Sequence, residues 1–222
     1  MPDLVTVDQL RAFAPTALAL ADTAKALSQH MARCEINIPR RIRHFMAHIY
    51  VESAGFTRLE ENLNYSVARL QQVWPSRFPT PASAAPFARN PRALAGKVYG
   101  GRMGNAGPLD GWLYRGGGWL QLTGKSNYQR ASTWTGLDLI AHPEWARTPA
   151  IAAQIACDFW RLSGLNAVVD KDADEGVFQT LQGAIRHNEE DDLVEGTRII
   201  NGGLTGLAGR RAALQLAGRI WK

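Results

Sequence analysis

A chain of 222 residues, 45% hydrophobic and 20% charged, is long enough to bury a sizeable core and too ordinary in composition to be broadly disordered. Its formal charge of +5 favours an anionic partner, but the absence of a long Lys/Arg run or a nucleic-acid motif argues against DNA or RNA. No window reaches the length of a membrane span, so stable membrane insertion is not expected.

Helix formers dominate, and the chain reads as mainly α, one domain or one domain with two lobes. The first residues lack a basic segment followed by an apolar core, which predicts synthesis in the cytoplasm without a signal peptide. Residues 7–33 carry helical periodicity, interrupted near Pro15, and predict two helices packed on the main body. Cys34 follows; it and Cys157 lie in apolar helical contexts and read as buried free thiols. Pro39 suits a first helical turn, and Ile42, Phe45, Met46, Ile49 and Tyr50 repeat at helical spacing until Gly55. Residues 56–65 lose that period, which predicts a short hairpin or an extended excursion beside the preceding helix. Ser66 caps a predicted helix that runs through Trp74 and stops at Pro75. Five prolines between residues 75 and 92 predict a loop, or a short helix between loops, before a helix over Pro91–Tyr99. The glycine-rich stretch Gly100–Gly118 can approach a ligand with its backbone, or can simply turn. Helices are predicted at Ser126–Thr135, Pro149–Ser163, Phe178–Ile185 and Leu193–Ile200. Asn201-Gly202-Gly203 breaks the chain before a last helix over Ala208–Trp221.

The stretch His44–Ser66 concentrates the chemistry. At 100° per residue, Glu52 lies nearly in line with Phe45 and on the side of Ile49, so its carboxylate projects from an apolar face near a helix end. Desolvation there raises a carboxyl pKa, as a general acid needs; the plainer alternative is a helix-end glutamate that swings into water. His44, His48 and Glu52 fall at i, i+4 and i+8, a stripe that could hold zinc, although a structural histidine pair fits better. No other histidine has metal-ligand spacing, and neither metal nor cofactor is expected. Glu60 and Glu61 are adjacent, so one faces solvent, and spacing alone does not choose between them. The acidic run His187–Asp192 reads as a solvated helix end or loop. Thr123 could fix a water through its hydroxyl, and Asn201 could bind sugar hydroxyls or only satisfy its own turn.

Eight segments in order, over roughly residues 38–222, carry a resemblance: ES-x-GF at Glu52–Phe56, ENLNYS at Glu61–Ser66, WP-x-RF at Trp74–Phe78, VYGGRMGN at Val98–Asn105, DGW-x-YRG at Asp110–Gly116, QLTG at Gln121–Gly124, Asn127-Tyr128, and IINGG at Ile199–Gly203. Together they resemble glycoside hydrolase family 19, the chitinase and endolysin family. The resemblance implies a lysozyme-like, two-lobed helical domain with a small hairpin beside the catalytic helix. It implies one catalytic domain over 1–222, with helices of 1–34 packed on it. Glu52 matches the family's general acid, Glu61 its general base, and Thr123 the residue that holds the nucleophilic water. Asn127, Asn201 and Arg211 match positions lining the substrate cleft, which Tyr65 and Gln121 help to build.

Two departures stand out. Val51 precedes the acid where the family usually has histidine, and Gly117 replaces a second arginine in the YRGRG loop; Arg115 or Arg102 is the candidate substitute. The compact form looks most like phage and prophage lysozyme-type endolysins. The expectation is a monomeric, inverting glycosidase that hydrolyses β-1,4 links of bacterial peptidoglycan, reaching the wall by holin-assisted release. The alternatives are a chitinase on the same fold, a metal-dependent amidase or peptidase, and an inactive wall-binding module.

Overall fold

The computed structural model describes residues 3–170, 178–180, 183–185 and 189–222. Among them the helices are, in chain order, α1 (Val7–Phe13), α2 (Leu20–Arg33), α3 (Pro39–Glu52), α4 (Val67–Val73), α5 (Pro81–Ala84), α6 (Pro91–Tyr99), α7 (Asp110–Leu113), α8 (Lys125–Thr135), α9 (Pro149–Leu162), α10 (Leu165–Asp170), α11 (Glu189–Asn201) and α12 (Leu207–Ile220). Two 3₁₀ turns lie at Ala85–Phe87 and Pro143–Arg147, and two strands, β1 (Phe178–Thr180) and β2 (Gly183–Ile185), form one antiparallel pair. The chain divides into two compact units. One joins Met1–Arg58 to Pro149–Lys222, and the other is Leu59–Thr148.

Helices α1, α4 and α6 start where the sequence supplies side-chain partners for their first N–H groups. Thr6 and Gln9 form a capping box on α1, Ser66 accepts from the Arg69 amide on α4, and Asn90 accepts from Ala93 with Pro91 in the first turn of α6. In the first unit α3 is the central helix, packed by α10, α11 and α12. That position explains why Ile42 and His44 through Ile49 are all buried, rather than one stripe alone. Phe13 meets Tyr50 and Trp221 edge-on, at 5.1 and 5.2 Å between ring centroids, and Phe45 meets Trp160 at 5.5 Å. Cys34 and Cys157 are buried free thiols, as the sequence predicts, and burial pushes both thiols up in pKa.

Helix α3 ends in an unusual way. Ala54, Gly55 and Phe56 all have left-handed backbone, with φ of 52°, 74° and 61°. Ser53 supports the turn by donating to the Ile49 carbonyl at 2.6 Å and accepting from the Phe56 amide at 2.8 Å. Phe56 itself is fully buried against Phe13, so apolar burial of about 1.5–3 kcal/mol offsets the strain of holding a non-glycine residue there. The helix therefore stops at Glu52, three residues before Gly55.

The second unit has its core on Leu63, Leu70, Phe78, Ala84, Leu94, Ala95 and Val98, with Tyr65, Trp74, Tyr99 and Trp112 packed against it. Helix α7 sits unusually close to α6. A Cβ at Gly111 would lie 2.6 Å from the Ala95 carbonyl oxygen, so glycine is required at that contact.

Three expectations need correction. The segment 56–65 takes the extended alternative and not the hairpin: its backbone partners are in the glycine-rich loop, with Glu61 N–H donating to Gly116 O at 2.9 Å and Gly118 N–H to Leu59 O at 2.9 Å. Single bridges link Glu60 to Gly117 and Gly117 to Leu122. Glycines 116–118 let that loop come close enough to take the bonds a hairpin partner would have made. Second, Phe178–Ile185 is the antiparallel strand pair, Phe178 opposite Ile185, Gln179 opposite Ala184 and Thr180 opposite Gly183, not a helix. Gly183 costs a helix about 1 kcal/mol relative to alanine, and Thr180 favours extended backbone. Third, within the acidic run read as solvated, Asp192 is buried and accepts from Arg40 at 2.6 Å; His187 lies outside the described residues.

Candidate active site

The two glutamates singled out by sequence fall in different units, so each carries its own surroundings.

In the first unit Glu52 closes α3 and pairs with Arg210 of α12. Arg210 is fully buried, and each guanidinium nitrogen has its own partner: Nη2 donates to Glu52 Oε1, Nε to His48 Nδ1 at 3.0 Å, and Nη1 to the Thr205 carbonyl at 2.7 Å. Asn201, the last residue of α11, donates to that same Thr205 carbonyl at 3.1 Å. Gly206 makes room for the cluster. Its φ is +80°, and a Cβ there would lie 2.7 Å from Arg210 Nη1 and 3.0 Å from Val51 Cγ1. The Glu52 side chain keeps 21% of its surface exposed. Desolvation raises its carboxyl above the usual carboxylate range, and the Arg210 charge and hydrogen bond pull back without cancelling that rise.

The histidine stripe does not make a metal site. His48 Nδ1 and Glu52 already face the same guanidinium, and a bound cation would sit beside that positive charge. Neither ring nitrogen of His44 has a hydrogen-bond partner among the described residues. No group of three potential ligands occurs among those residues either.

In the second unit Glu61 receives two donors. Tyr99 O–H donates to Oε1 and the Gly116 N–H to Oε2 at 3.3 Å, while Glu61 N–H returns a bond to Gly116 O. Burial and the Glu61 contact push the Tyr99 phenol up in pKa, so Tyr99 stays a proton-bearing donor. A Cβ on Gly116 would lie 2.9 Å from Gln121 Oε1 and 3.0 Å from Glu61 Cβ, which puts Gln121 and Glu61 against the same glycine. Gln121, itself at φ +50°, donates to Gly118 O at 2.9 Å, and its own carbonyl accepts from Thr123 Oγ1 at 2.8 Å. Asn127 in α8 donates to Thr123 O at 2.6 Å. Gln121, Thr123 and Asn127 thus form one hydrogen-bonded chain, and Gly116, bonded to Glu61, lies against its Gln121 end. Tyr65 packs edge-on against Trp74, 5.3 Å between centroids, on the unit's core.

Glu60, the other member of the pair, is exposed and bound by Arg115 at 2.5 Å. The Arg115 guanidinium stacks 3.7 Å over Trp112, so this arginine serves Glu60, and Arg102 donates only weakly, to Val98 O at 3.5 Å. Neither bonds to Glu61. Gly117 has no room for the arginine expected at that place: a Cβ would meet Tyr128 Oη at 2.6 Å and Arg147 Cγ at 3.3 Å.

Arg211 is exposed and donates to Glu190 at 2.7 Å, whereas its neighbour Arg210 meets Glu52. Sequence reading passed over Arg210 and Tyr99. A signal for the first was present: Arg210 precedes Ala213, Leu214 and Ala217 at i+3, i+4 and i+7 and shares their buried stripe. Tyr99 had a weaker one, as an aromatic with a hydroxyl ending α6 beside the glycine-rich loop.

No protein-family model matches the chain. The chain is 39% identical over 129 residues, 56% of its length, to a Haemophilus influenzae protein described as "Glycosyl hydrolase family 19 domain-containing protein", and it spans 64% of that relative's length. Among solved structures it is similar to chitinase C from Streptomyces griseus HUT6037, at TM-score 0.56 and 18% identity, over 99% of this chain and 93% of the other. A second, a bacterial family 19 chitinase, superposes at TM-score 0.52 and 17% identity, over 97% and 95%. The mainly helical, lysozyme-like fold of family 19 chitinases and the sequence resemblance to that family are both borne out.

Proposed function

We propose that this chain, a sequence relative of glycosyl hydrolase family 19 with the fold of family 19 chitinases, is a glycoside hydrolase that cuts β-1,4 links of bacterial peptidoglycan with inversion. The observation that carries this reading is the contrast between two carboxylates. Glu52 lies at the end of a buried helix against the Arg210 guanidinium, its carboxyl raised by desolvation, while Glu61 accepts hydrogen bonds from a phenol and a backbone amide.

Glu52 gives its proton to the bridging oxygen as the glycosidic C–O bond breaks. Glu61 takes a proton from a water, held with the help of Thr123, whose oxygen bonds to the anomeric carbon from the opposite face. One water is consumed, one new reducing end appears, and the two glutamates exchange protonation states until solvent resets them. Gln121, Asn127, Asn201, Tyr65 and Arg211 are proposed to contact the glycan. Asn127 and Asn201 offer amides, but Arg211 must first release Glu190.

The +5 charge supports an anionic wall polymer over neutral chitin. Chitin is the second reading, supported by solved neighbours that are themselves chitinases. The protein is proposed to act as a monomer on the wall after holin-assisted release from the cytoplasm. Mass spectrometry of purified peptidoglycan digests, run beside reducing-end release from colloidal chitin, decides the substrate, and faster chitin cleavage overturns the first choice. NMR of the first product reports its anomer; retention refutes the direct-water scheme. Glu52→Gln should lower kcat by about 10²–10⁴-fold with the fold intact, and a loss under about tenfold removes Glu52 from the acid role. Wall binding without any new reducing end would leave only a binding module.

A further inference from the structure

We propose that His48 is a positioning residue for Glu52: as a neutral imidazole accepting from Arg210 Nε, it fixes the guanidinium that holds the carboxylate. The inference rests on the acid role proposed above for Glu52.

Arginine has donors and no acceptor, so the 3.0 Å contact requires a lone pair on His48 Nδ1 and places the ring proton on Nε2. Packing fixes the ring itself, and Nε2 has no hydrogen-bond partner among the described residues. His48 is fully buried, its ring lies 5.7 Å from the Trp160 ring, and a Cβ at Gly196 would come within 2.8 Å of Nε2. Burial, and the Arg210 charge after it, hold the imidazole well below its ordinary pKa, so it stays neutral at working pH.

The choice of acceptor matters. Two neutral acceptors, His48 Nδ1 and the Thr205 carbonyl, locate Arg210, and neither competes for its charge. A carboxylate in place of His48 would share that charge and weaken its hold on Glu52. Two carboxylates on the helices packed against α3 bind its arginines. Asp170 of α10 accepts from Arg41, and Asp192 of α11 accepts from Arg40. Gly196 is what α11 presents to the free side of His48, and on α3 itself His44 is the neighbouring titratable group. Arg210 is the one charged group from α12 acting on Glu52.

The sign of the effect follows. Arg210 lowers the Glu52 pKa against desolvation, so a loosened guanidinium lets it rise. A general acid works while protonated, so the alkaline limb of the rate profile moves upward as well. Misalignment of the acid lowers kcat and leaves substrate binding almost alone.

The test compares the wild type with His48→Leu, which removes the acceptor, and His48→Asn, which keeps one at the δ position. Carbon-detected NMR titration follows the Glu52 carboxyl directly, and hydrolysis is followed against pH on peptidoglycan and colloidal chitin. We expect His48→Leu to raise the Glu52 midpoint and the alkaline limb together, with kcat down about tenfold or more and KM within about twofold. His48→Asn should return both midpoint and limb to the wild-type position. The proposal is overturned if His48→Leu only lowers Tm, or if His48→Asn behaves like His48→Leu. Should His48→Leu not fold, His48→Gln, whose acceptor sits one bond further out, makes the same comparison. A midpoint that moves in a protein hydrolysing neither glycan upholds the positioning role and refutes the hydrolase reading separately.

Discussion

Acidification from pH 7 to 5 should weaken the first unit through His44. This side chain is fully buried on α3 without a hydrogen-bond partner for either ring nitrogen among the described residues. Burial, with Arg40 and Arg43 adding to it, lowers its pKa from 6.5 to about 3. The unfolded chain protonates this histidine below pH 6.5 and the folded one does not, so the unfolded state binds more protons. Stability is thus full above pH 6.5, falls as pH drops below it, and levels off only near pH 3. One proton costs about 1.4 kcal/mol per pH unit, which gives about 2 kcal/mol by pH 5. In a protein of this size that is a fall of roughly 4–8 °C in Tm. Urea denaturation of the wild type and His44→Leu at both pH values measures it. The variant should lose about 2 kcal/mol less on acidification, and at pH 7 it should match or exceed the wild type, because an unpartnered polar ring has been removed. Equal acid losses in the two proteins would refute the reasoning.

Tyr99→Phe removes the hydroxyl that donates to Glu61 and leaves the ring packed, so it should lower kcat about tenfold with little change in urea midpoint; unchanged kcat would show that Glu61 does not need this donor. Gly117→Ala forces a methyl against Tyr128 Oη and should cost about 1–3 kcal/mol; adding Tyr128→Phe should recover part of that loss, and a cycle with no coupling would contradict the contact.

Much of the helical scaffold is legible before any coordinates, because its signals are local. The periodicity from residue 7, Pro39, Ser66 and Pro91 mark helix starts within a few residues of their observed places. What escapes depends on distant partners. The glycines at 116–118 take the backbone bonds that a hairpin within residues 56–65 would have made, a pairing across more than fifty positions. Helices α7 and α10, of four and six residues, are too short to show a period. The site divides the same way. Glu52 is readable from its place on an apolar stripe, and resemblance selects Glu61 over Glu60. Only structure shows Arg115 bound to one and Tyr99 to the other. Arg210 and Arg211 differ by the rotation of one residue on α12, and that rotation turns one toward Glu52 and the other toward Glu190.

The Thr205 carbonyl belongs to the main chain, and this sets which changes the neighbourhood of Glu52 can absorb. No substitution at position 205 deletes that oxygen, and the Thr205 side chain is exposed, so its identity is free to drift. The constraint passes instead to the path of the chain, and hence to Gly206, where a φ of +80° disfavours any side chain and a Cβ would press on the Arg210 guanidinium. Random mutagenesis of this turn should therefore return a permissive threonine beside an immovable glycine.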